Sequence, residues 1–196
     1  LFSLSVFRSP WQVDAGYDAL KDLTYIMGVT NVLFAVVVRA DSPWKTWKDV
    51  QAAARAEPSK YTYGVPAGLG NSAHLIMSEV AGQDKLDVTV VPYKGSADCA
   101  QALLGGQVSF AVDASGGFGP LVDSGKARLL AVASDERSTR WPDVPTLREL
   151  GYDMSIDSPW GIGGPAGMDR AVVQTLHDAF RKALDDKPVR EIIARF

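Results

Sequence analysis

The chain has 196 residues, of which 46% are apolar and 22% charged, and its formal net charge is −3. This composition is ordinary for a globular protein, and the small negative charge gives no electrostatic basis for binding nucleic acid or an anionic membrane. The single cysteine, Cys99, excludes an internal disulfide and a thiolate zinc cluster, and no apolar run approaches the ~20 residues that span a bilayer.

The first part of the chain mixes helical and extended patterns. Residues 17–23 predict a short helical turn, and residues 25–39 contain two β-like runs. The second run, residues 32–38, is apolar without alternation, which is typical of a strand covered on both faces. Residues 46–56 have helical spacing, with Thr46 as the predicted N-cap.

From residue 61 onward, strand and helix patterns alternate with short links. Strands are predicted at residues 61–65, 88–91, 108–112 and 128–133, and helices at 71–81, 96–104 and 116–124. Gly82, Gly105 and Gly125 stand where helix C-caps belong. This alternation indicates a parallel α/β sheet.

The last third begins with a polar loop at residues 135–145 and a short helix at 146–150. A crossing strand at 154–164 precedes an amphipathic helix at 169–184 capped by Asp169, and a further helix begins at Pro188.

Two long segments, near residues 36–43 and 158–165, are predicted to cross between two lobes. Residues 1–40 and 160–196 are expected to form a partial first lobe, and residues 41–159 the second, ligand-binding lobe. Two crossing segments make a hinge, and a hinge places a ligand in the cleft.

The most informative stretch runs from Tyr61 to Gly95, where a strand, a glycine turn and a helix start occur twice. The first turn contains Gly68 and Gly70, followed by Asn71 and Ser72 at the helix start. Such a turn presents backbone N–H groups and the positive end of a helix dipole to an anion. Each glycine turn is also explained by ordinary backbone geometry, and Asn71 and Ser72 by helix capping alone.

Several strings occur in a characteristic order. They are YG at 63–64, GLGNSAHL at 68–75, VPYKG at 91–95, LGGQV at 104–108, GKARLLAV at 125–132, Arg137 with PDVPT at 142–146, WG at 160–161 and PAG at 165–167. With these strings the chain resembles the extracytoplasmic solute receptors of tripartite tricarboxylate transporters, also called Bug proteins, from about residue 20 to 195.

The resemblance implies an α/β fold of the type II periplasmic-binding-protein class, with one complete parallel or mixed α/β lobe and an incomplete second lobe. It implies a small carboxylate ligand, delivery to membrane permease subunits, a periplasmic location, and no cofactor, metal or catalysis. The family's signal sequence, first strand, glycine-rich first-lobe loop and C-terminal segment are expected to lie outside this sequence. Strand 32–38 would then expose an apolar edge, which favours an oligomer.

The resemblance also implies site residues in three loops that follow strand ends, at residues 68–72, 93–96 and 113–117. The ligand-binding residues are expected to be Gly68, Gly70, Asn71, Ser72, Tyr93, Lys94, Gly95 and Asp113. Lys94 either neutralises a ligand carboxylate or points to water. Asp113 either accepts a hydrogen bond from a ligand amine or hydroxyl, or caps the next turn.

Two other functions use the same residues. An enzyme would use Ser72 or Cys99 as a nucleophile, but His74 lies two residues after Ser72 and faces another direction on a helix. His74 is therefore expected to pack or hydrogen-bond, Cys99 to be a buried structural thiol, and His177 to be solvated. A ligand-sensing regulatory domain is the third hypothesis, although no helix-turn-helix pattern is visible.

Overall fold

A computed structural model describes residues 1–156 and 158–193. Its helices, in chain order, are α1 (Ser5–Gln12), α2 (Trp47–Ala56), α3 (Ser72–Asp84), α4 (Ser96–Leu104), α5 (Ser115–Asp123), α6 (Arg170–Leu184) and α7 (Lys187–Ile193). Its strands are β1 (Leu23–Asn31), β2 (Phe34–Arg39), β3 (Thr62–Val65), β4 (Thr89–Pro92), β5 (Phe110–Ala114), β6 (Ala127–Val132) and β7 (Pro159–Pro165). Among the described helices, none is both long and apolar enough to cross a bilayer.

The chain divides into two compact units. The first comprises Leu1–Val32 and Ser158–Phe196, and the second comprises Leu33–Asp157. The predicted boundary at residue 40 differs from this division, because β2 pairs along its length with β5 and β6 in the sheet of the second unit.

The first unit is built on the antiparallel pair of β1 and β7. The chain start extends this pair, because Phe2 exchanges two backbone hydrogen bonds with Gly161. Helix α1 was not predicted, and it contains Pro10, which cannot donate to the carbonyl of Val6. The Tyr17 hydroxyl donates to that carbonyl at 2.9 Å instead, which compensates the missing helical bond.

The second unit contains a five-stranded sheet in the order β4-β3-β5-β2-β6. β3 is parallel to β4 and β5, whereas β2 is antiparallel to β5 and β6. The sheet is therefore mixed, and the expectation that strand 32–38 exposes an apolar edge is wrong. β2 lies between β5 and β6, so it has no exposed edge that would pair with a second chain, and the prediction of an oligomer is no longer supported.

Two apolar clusters cover the two faces of this sheet. One contains Trp47 of α2, Ile76 and Met77 of α3, and Phe110 of β5. The other contains Cys99 and Leu103 of α4 together with Phe118 of α5. Alternate residues of β5 supply the two clusters, as expected for a strand covered on both faces.

Local signals set most element boundaries in this unit. Thr46 caps α2 with a full capping box, and Asp169 caps α6 in the first unit, as predicted. Helix α4 ends at Gly105, also as predicted. Gly82 is not a C-cap, because α3 continues through it and ends at Lys85, which adopts a left-handed φ of 54°.

Candidate functional site

The carboxyl ends of β3, β4 and β5 lie side by side at one edge of the five-stranded sheet, here called the carboxyl edge. A short turn connects β3 to α3 and β4 to α4, and β5 continues directly into α5, so the N-termini of α3, α4 and α5 meet there. Helix N-termini carry unpaired N–H groups and a partial positive charge. The edge therefore has the backbone arrangement of an anion site.

The turn between β3 and α3 depends on its two glycines. Gly68 and Gly70 have φ values of 80° and 81°, a left-handed conformation that residues with a Cβ rarely adopt. The Gly68 amide donates to the Tyr93 carbonyl at 3.3 Å, and the Gly70 amide to Nδ1 of His74 at 3.0 Å. Both amides thus have protein acceptors, so these glycines shape the turn. The turn itself lies at the surface, where Leu69 is 60% exposed.

Asn71 holds this turn against α3. Its side-chain oxygen accepts from the His74 amide at 2.9 Å, which caps the helix. Its amide group donates to the carbonyls of Pro66 and Gly68. The next residue, Ser72, is buried at the first position of the helix.

His74 has the hydrogen-bonding role predicted for it. Nδ1 accepts the Gly70 amide, so this nitrogen is not a base for Ser72. His177 is partly exposed on α6 and lies 3.0 Å from a carboxylate oxygen of Asp178.

The turn after β4 is tied to the turn after β3. The Tyr93 amide donates to the Val65 carbonyl at 2.9 Å. The Tyr93 ring packs over Gly64, and burial raises the pKa of its hydroxyl. Lys94 is exposed, and Gly95 is the N-cap of α4 in an extended conformation with no side-chain cap.

Asp113 is a buried carboxyl at the end of β5, with 4% of its surface exposed. Its Oδ1 accepts from Oγ of Ser96 at 2.9 Å and from the Ala114 amide at 2.6 Å. Burial raises its pKa to about 6, against the lowering effect of these two hydrogen bonds. Gly117 makes room for it, because a Cβ there would overlap Oδ2 of Asp113 and lie 2.7 Å from Cβ of Ser96.

Ser96 and Gly117 lie in the loops predicted at residues 93–96 and 113–117, but neither was singled out as a ligand-binding residue. Ser96 follows Gly95 directly, and a serine at a predicted helix start is an indication of a capping or ligand-facing role. Nothing local links it to Asp113, which is 17 positions later. The sheet brings the two residues together.

Cys99 is a buried thiol, as predicted. Its Sγ packs against Gly64, and burial raises its pKa to about 12. The thiolate that a nucleophile requires is therefore strongly disfavoured at neutral pH.

The comparisons with known proteins identify the family. The sequence profile described as "Tripartite tricarboxylate transporter family receptor" matches residues 1–196. The "UPF0065 protein in gbd 5'region" of Cupriavidus necator is 42% identical over 194 residues, which cover 99% of this chain and 59% of that protein.

Two solved structures have similar folds. A Rhodopseudomonas palustris protein with adipate is 28% identical with a TM-score of 0.78, over 89% of this chain and 58% of that one. MatC from the same organism, with bound malate, is 27% identical with a TM-score of 0.78. This match covers 91% of this chain and 60% of MatC. The predicted α/β fold class is thereby confirmed, and the chain spans about 59% of the length of the Cupriavidus relative. The chain belongs to the tripartite tricarboxylate transporter receptor family.

Proposed function

We propose that this chain is the ligand-binding part of a periplasmic solute receptor that captures a small carboxylate without altering it. The receptor would deliver its ligand to the permease subunits of a tripartite tricarboxylate transporter. The observation that carries the proposal is the meeting of three helix N-termini at the carboxyl edge of a chain from this receptor family. The adipate and malate of the two solved neighbours support a carboxylate ligand.

The proposed site combines the two turns of this edge with the end of β5. Its residues are Gly68, Gly70, Asn71, Ser72, Tyr93, Lys94, Gly95 and Asp113. The two glycines of the first turn and Asn71 hold its backbone, and the start of α3 receives a ligand carboxylate. The exposed ammonium of Lys94 contributes positive charge beside it.

The energy required is modest. A hydrogen bond to a charged group contributes roughly 1.5–3 kcal/mol, and micromolar affinity corresponds to about −8 kcal/mol. A few charge-assisted bonds to one carboxylate, with burial of the ligand's apolar part, therefore provide affinity in this range.

The test is a thermal-shift screen of the complete product of the gene against dicarboxylates, tricarboxylates, aromatic carboxylates and acidic amino acids. A ligand present at about 1,000 times its Kd stabilises the folded state by about 4 kcal/mol, which raises the melting temperature by several degrees. The uncharged diamide of each active dicarboxylate is the control and should give no shift. If no carboxylate stabilises the protein, the proposed function is wrong.

A catalytic function is not favoured. Cys99 is a buried, protonated thiol, and Nδ1 of His74 is occupied by the Gly70 amide. The family match likewise favours a receptor over a regulatory domain.

A further inference from the structure

Asp113 places a carboxylate between the first turns of α4 and α5. Ser96, the first residue of α4, donates its hydroxyl proton to Asp113, and so does the amide of Ala114, the N-cap of α5. In its ionised form Asp113 therefore occupies the position where these two helix N-termini attract an anion. A ligand carboxylate placed there would be repelled.

The N-terminus of α3 differs from those of α4 and α5 in having no acidic side chain beside it. The first turn of α3 contains no acidic residue and its cap, Asn71, is neutral, whereas the first turn of α4 contains Asp98. Among the described residues, no acidic side chain therefore offsets the partial positive charge at the N-terminus of α3, whereas acidic side chains do so at α4 and α5. A ligand carboxylate is directed to it.

The hydroxyl of Ser96 has a defined hydrogen-bond direction. A serine hydroxyl has one proton, and Ser96 directs it to Oδ1 of Asp113 at 2.9 Å. The lone pairs of Oγ remain, so Ser96 offers an acceptor to any further partner. Ser96 is only partly buried, and it stands at the helix start that follows the Tyr93–Gly95 turn. A ligand group that reaches it must donate a hydrogen bond.

The spacing suits one small ligand. The turn before α3 lies against the turn before α4, because the Gly68 amide donates to the Tyr93 carbonyl at 3.3 Å and Ser96 follows Tyr93 by three residues. The start of α3 and the Asp113–Ser96 pair are therefore within reach of a small molecule that has a carboxylate and a second polar group a few bonds away.

We propose that the Asp113–Ser96 pair makes the site selective for hydroxy- and amino-substituted carboxylates over unsubstituted ones. Ser96 accepts a hydrogen bond from the hydroxyl or ammonium group, and Asp113 is the positioning residue that orients Ser96. This inference rests on the proposed function, since it assumes that a carboxylate binds at the carboxyl edge.

The pair also makes the selectivity depend on pH. Burial raises the pKa of Asp113 to about 6. Of the elements packed around it, α4 contributes the thiol of Cys99, which is neutral with a pKa of about 12, and the exposed Asp98. From α5 and β2, Gly117 and Ala35 contribute no charge. Once protonated, Asp113 can donate to Ser96, whose own proton then becomes available to an acceptor on the ligand.

The experiment measures Kd by calorimetry for succinate, malate and aspartate, which share one carbon skeleton and differ in a hydrogen, a hydroxyl or an ammonium group. At pH 7.5 the complete gene product should bind malate or aspartate about tenfold more tightly than succinate, because succinate leaves the Ser96 acceptor unpaired. Asp113→Ala, which removes the acceptor that orients Ser96, and Ser96→Ala should each reduce this ratio to within about twofold, and so should pH 5. Ser96→Thr, which retains the hydroxyl, should preserve it.

Asp98→Asn is the matched control, because it removes an exposed negative charge from the first turn of the same helix. It should leave the ratio unchanged. If Asp113→Ala and Ser96→Ala both keep the wild-type ratio, or if the wild type binds succinate as tightly as malate and aspartate, the inference is wrong. Binding of unsubstituted carboxylates alone would overturn the inference while leaving the proposed function intact.

A second measurement needs no ligand. The pKa of Asp113, followed by carbon-13 NMR of its carboxyl group, should rise further in Ser96→Ala, because the variant loses a hydrogen bond to the charged form. An unchanged pKa would show that Ser96 does not donate to Asp113, and the inference would fail even if no carboxylate had been found to bind.

Discussion

Gly64 shows how tightly single residues are constrained beneath the carboxyl edge. A Cβ at this position would lie 2.8 Å from Sγ of Cys99, 3.3 Å from the Tyr93 ring and 3.4 Å from Val108. The absence of a side chain at Gly64 therefore allows α4 and the Tyr93 turn to pack closely against β3.

Gly64→Ala should lower the free energy of unfolding by about 1–3 kcal/mol, because the added methyl group overpacks a buried contact. Urea unfolding measures the change. Gly82→Ala is the matched control, since this glycine is exposed inside α3 with no atom within 4 Å of an added Cβ. The free energy of unfolding of that variant should rise by about 0.5–1 kcal/mol. Equal effects at both positions would contradict the packing argument.

Asp113 should make stability fall as the pH rises through about 6. Its pKa is raised from 3.8 to about 6 on folding, so the native state binds more protons than the unfolded state between these values. The stability linked to the protonated form is complete below about pH 4 and is lost above the folded pKa. From pH 4 to pH 7, the free energy of unfolding of Asp113→Asn should therefore rise by about 2–3 kcal/mol relative to that of the wild type. A difference between the two proteins that does not change with pH would rule this out.

At the scale of secondary-structure elements, two capping side chains lie at opposite edges of the five-stranded sheet. Asn71 caps α3 after the carboxyl end of β3. Thr46 caps α2 after the carboxyl end of β2, which runs antiparallel to β5 and so ends at the other edge. The two caps stabilise their helices by similar interactions, but only Asn71 belongs to the proposed site.

Asn71→Ala and Thr46→Ala should each cost about 1 kcal/mol of stability, because each leaves a helix N-terminus uncapped. The loss at Asn71 should be somewhat larger, since its side chain also donates to the carbonyls of Pro66 and Gly68. Calorimetry with an active carboxylate should then show weaker binding in Asn71→Ala alone. A comparable loss of affinity in Thr46→Ala would mean that Asn71 acts on the ligand only through general stability.

At the scale of the whole molecule, the two units differ in how much of their structure is buried. The second unit contains both apolar clusters, with strand β2 buried at four consecutive positions from Ala35 to Val38. In the first unit, α1 and α6 contain no buried residue, and neither do the described residues of α7.

Amide hydrogen exchange should therefore be slowest in β2 and β5 and faster in α1 and α6. Exchange from a buried, fully paired strand requires a larger opening than exchange from a helix packed on one side only. Mass spectrometry of labelled peptides measures the difference, and α4, whose buried residues include Cys99 and Leu103, is the internal reference for a well-packed helix. Equal protection of α6 and β5 would contradict this prediction.

The sequence alone determined the elements whose signals are local. The bounds of α4 were predicted to the residue, and the caps Thr46 and Asp169 were correct, because a cap and a terminal glycine act within one turn of the helix they bound. The carboxyl edge was likewise predictable, since each of its three helices follows one of its strands closely in sequence.

Only the tertiary structure decided how distant segments meet. Strand β2 was recognised as apolar on both faces, but its antiparallel position between β5 and β6 depends on residues about 75 to 100 positions away. The Asp113–Ser96 pair and the room left for it by Gly117 also arise from packing across the sheet. A residue's neighbours along the chain set its backbone preference, whereas its burial, its pKa and its partners follow from the summed contacts of the whole fold.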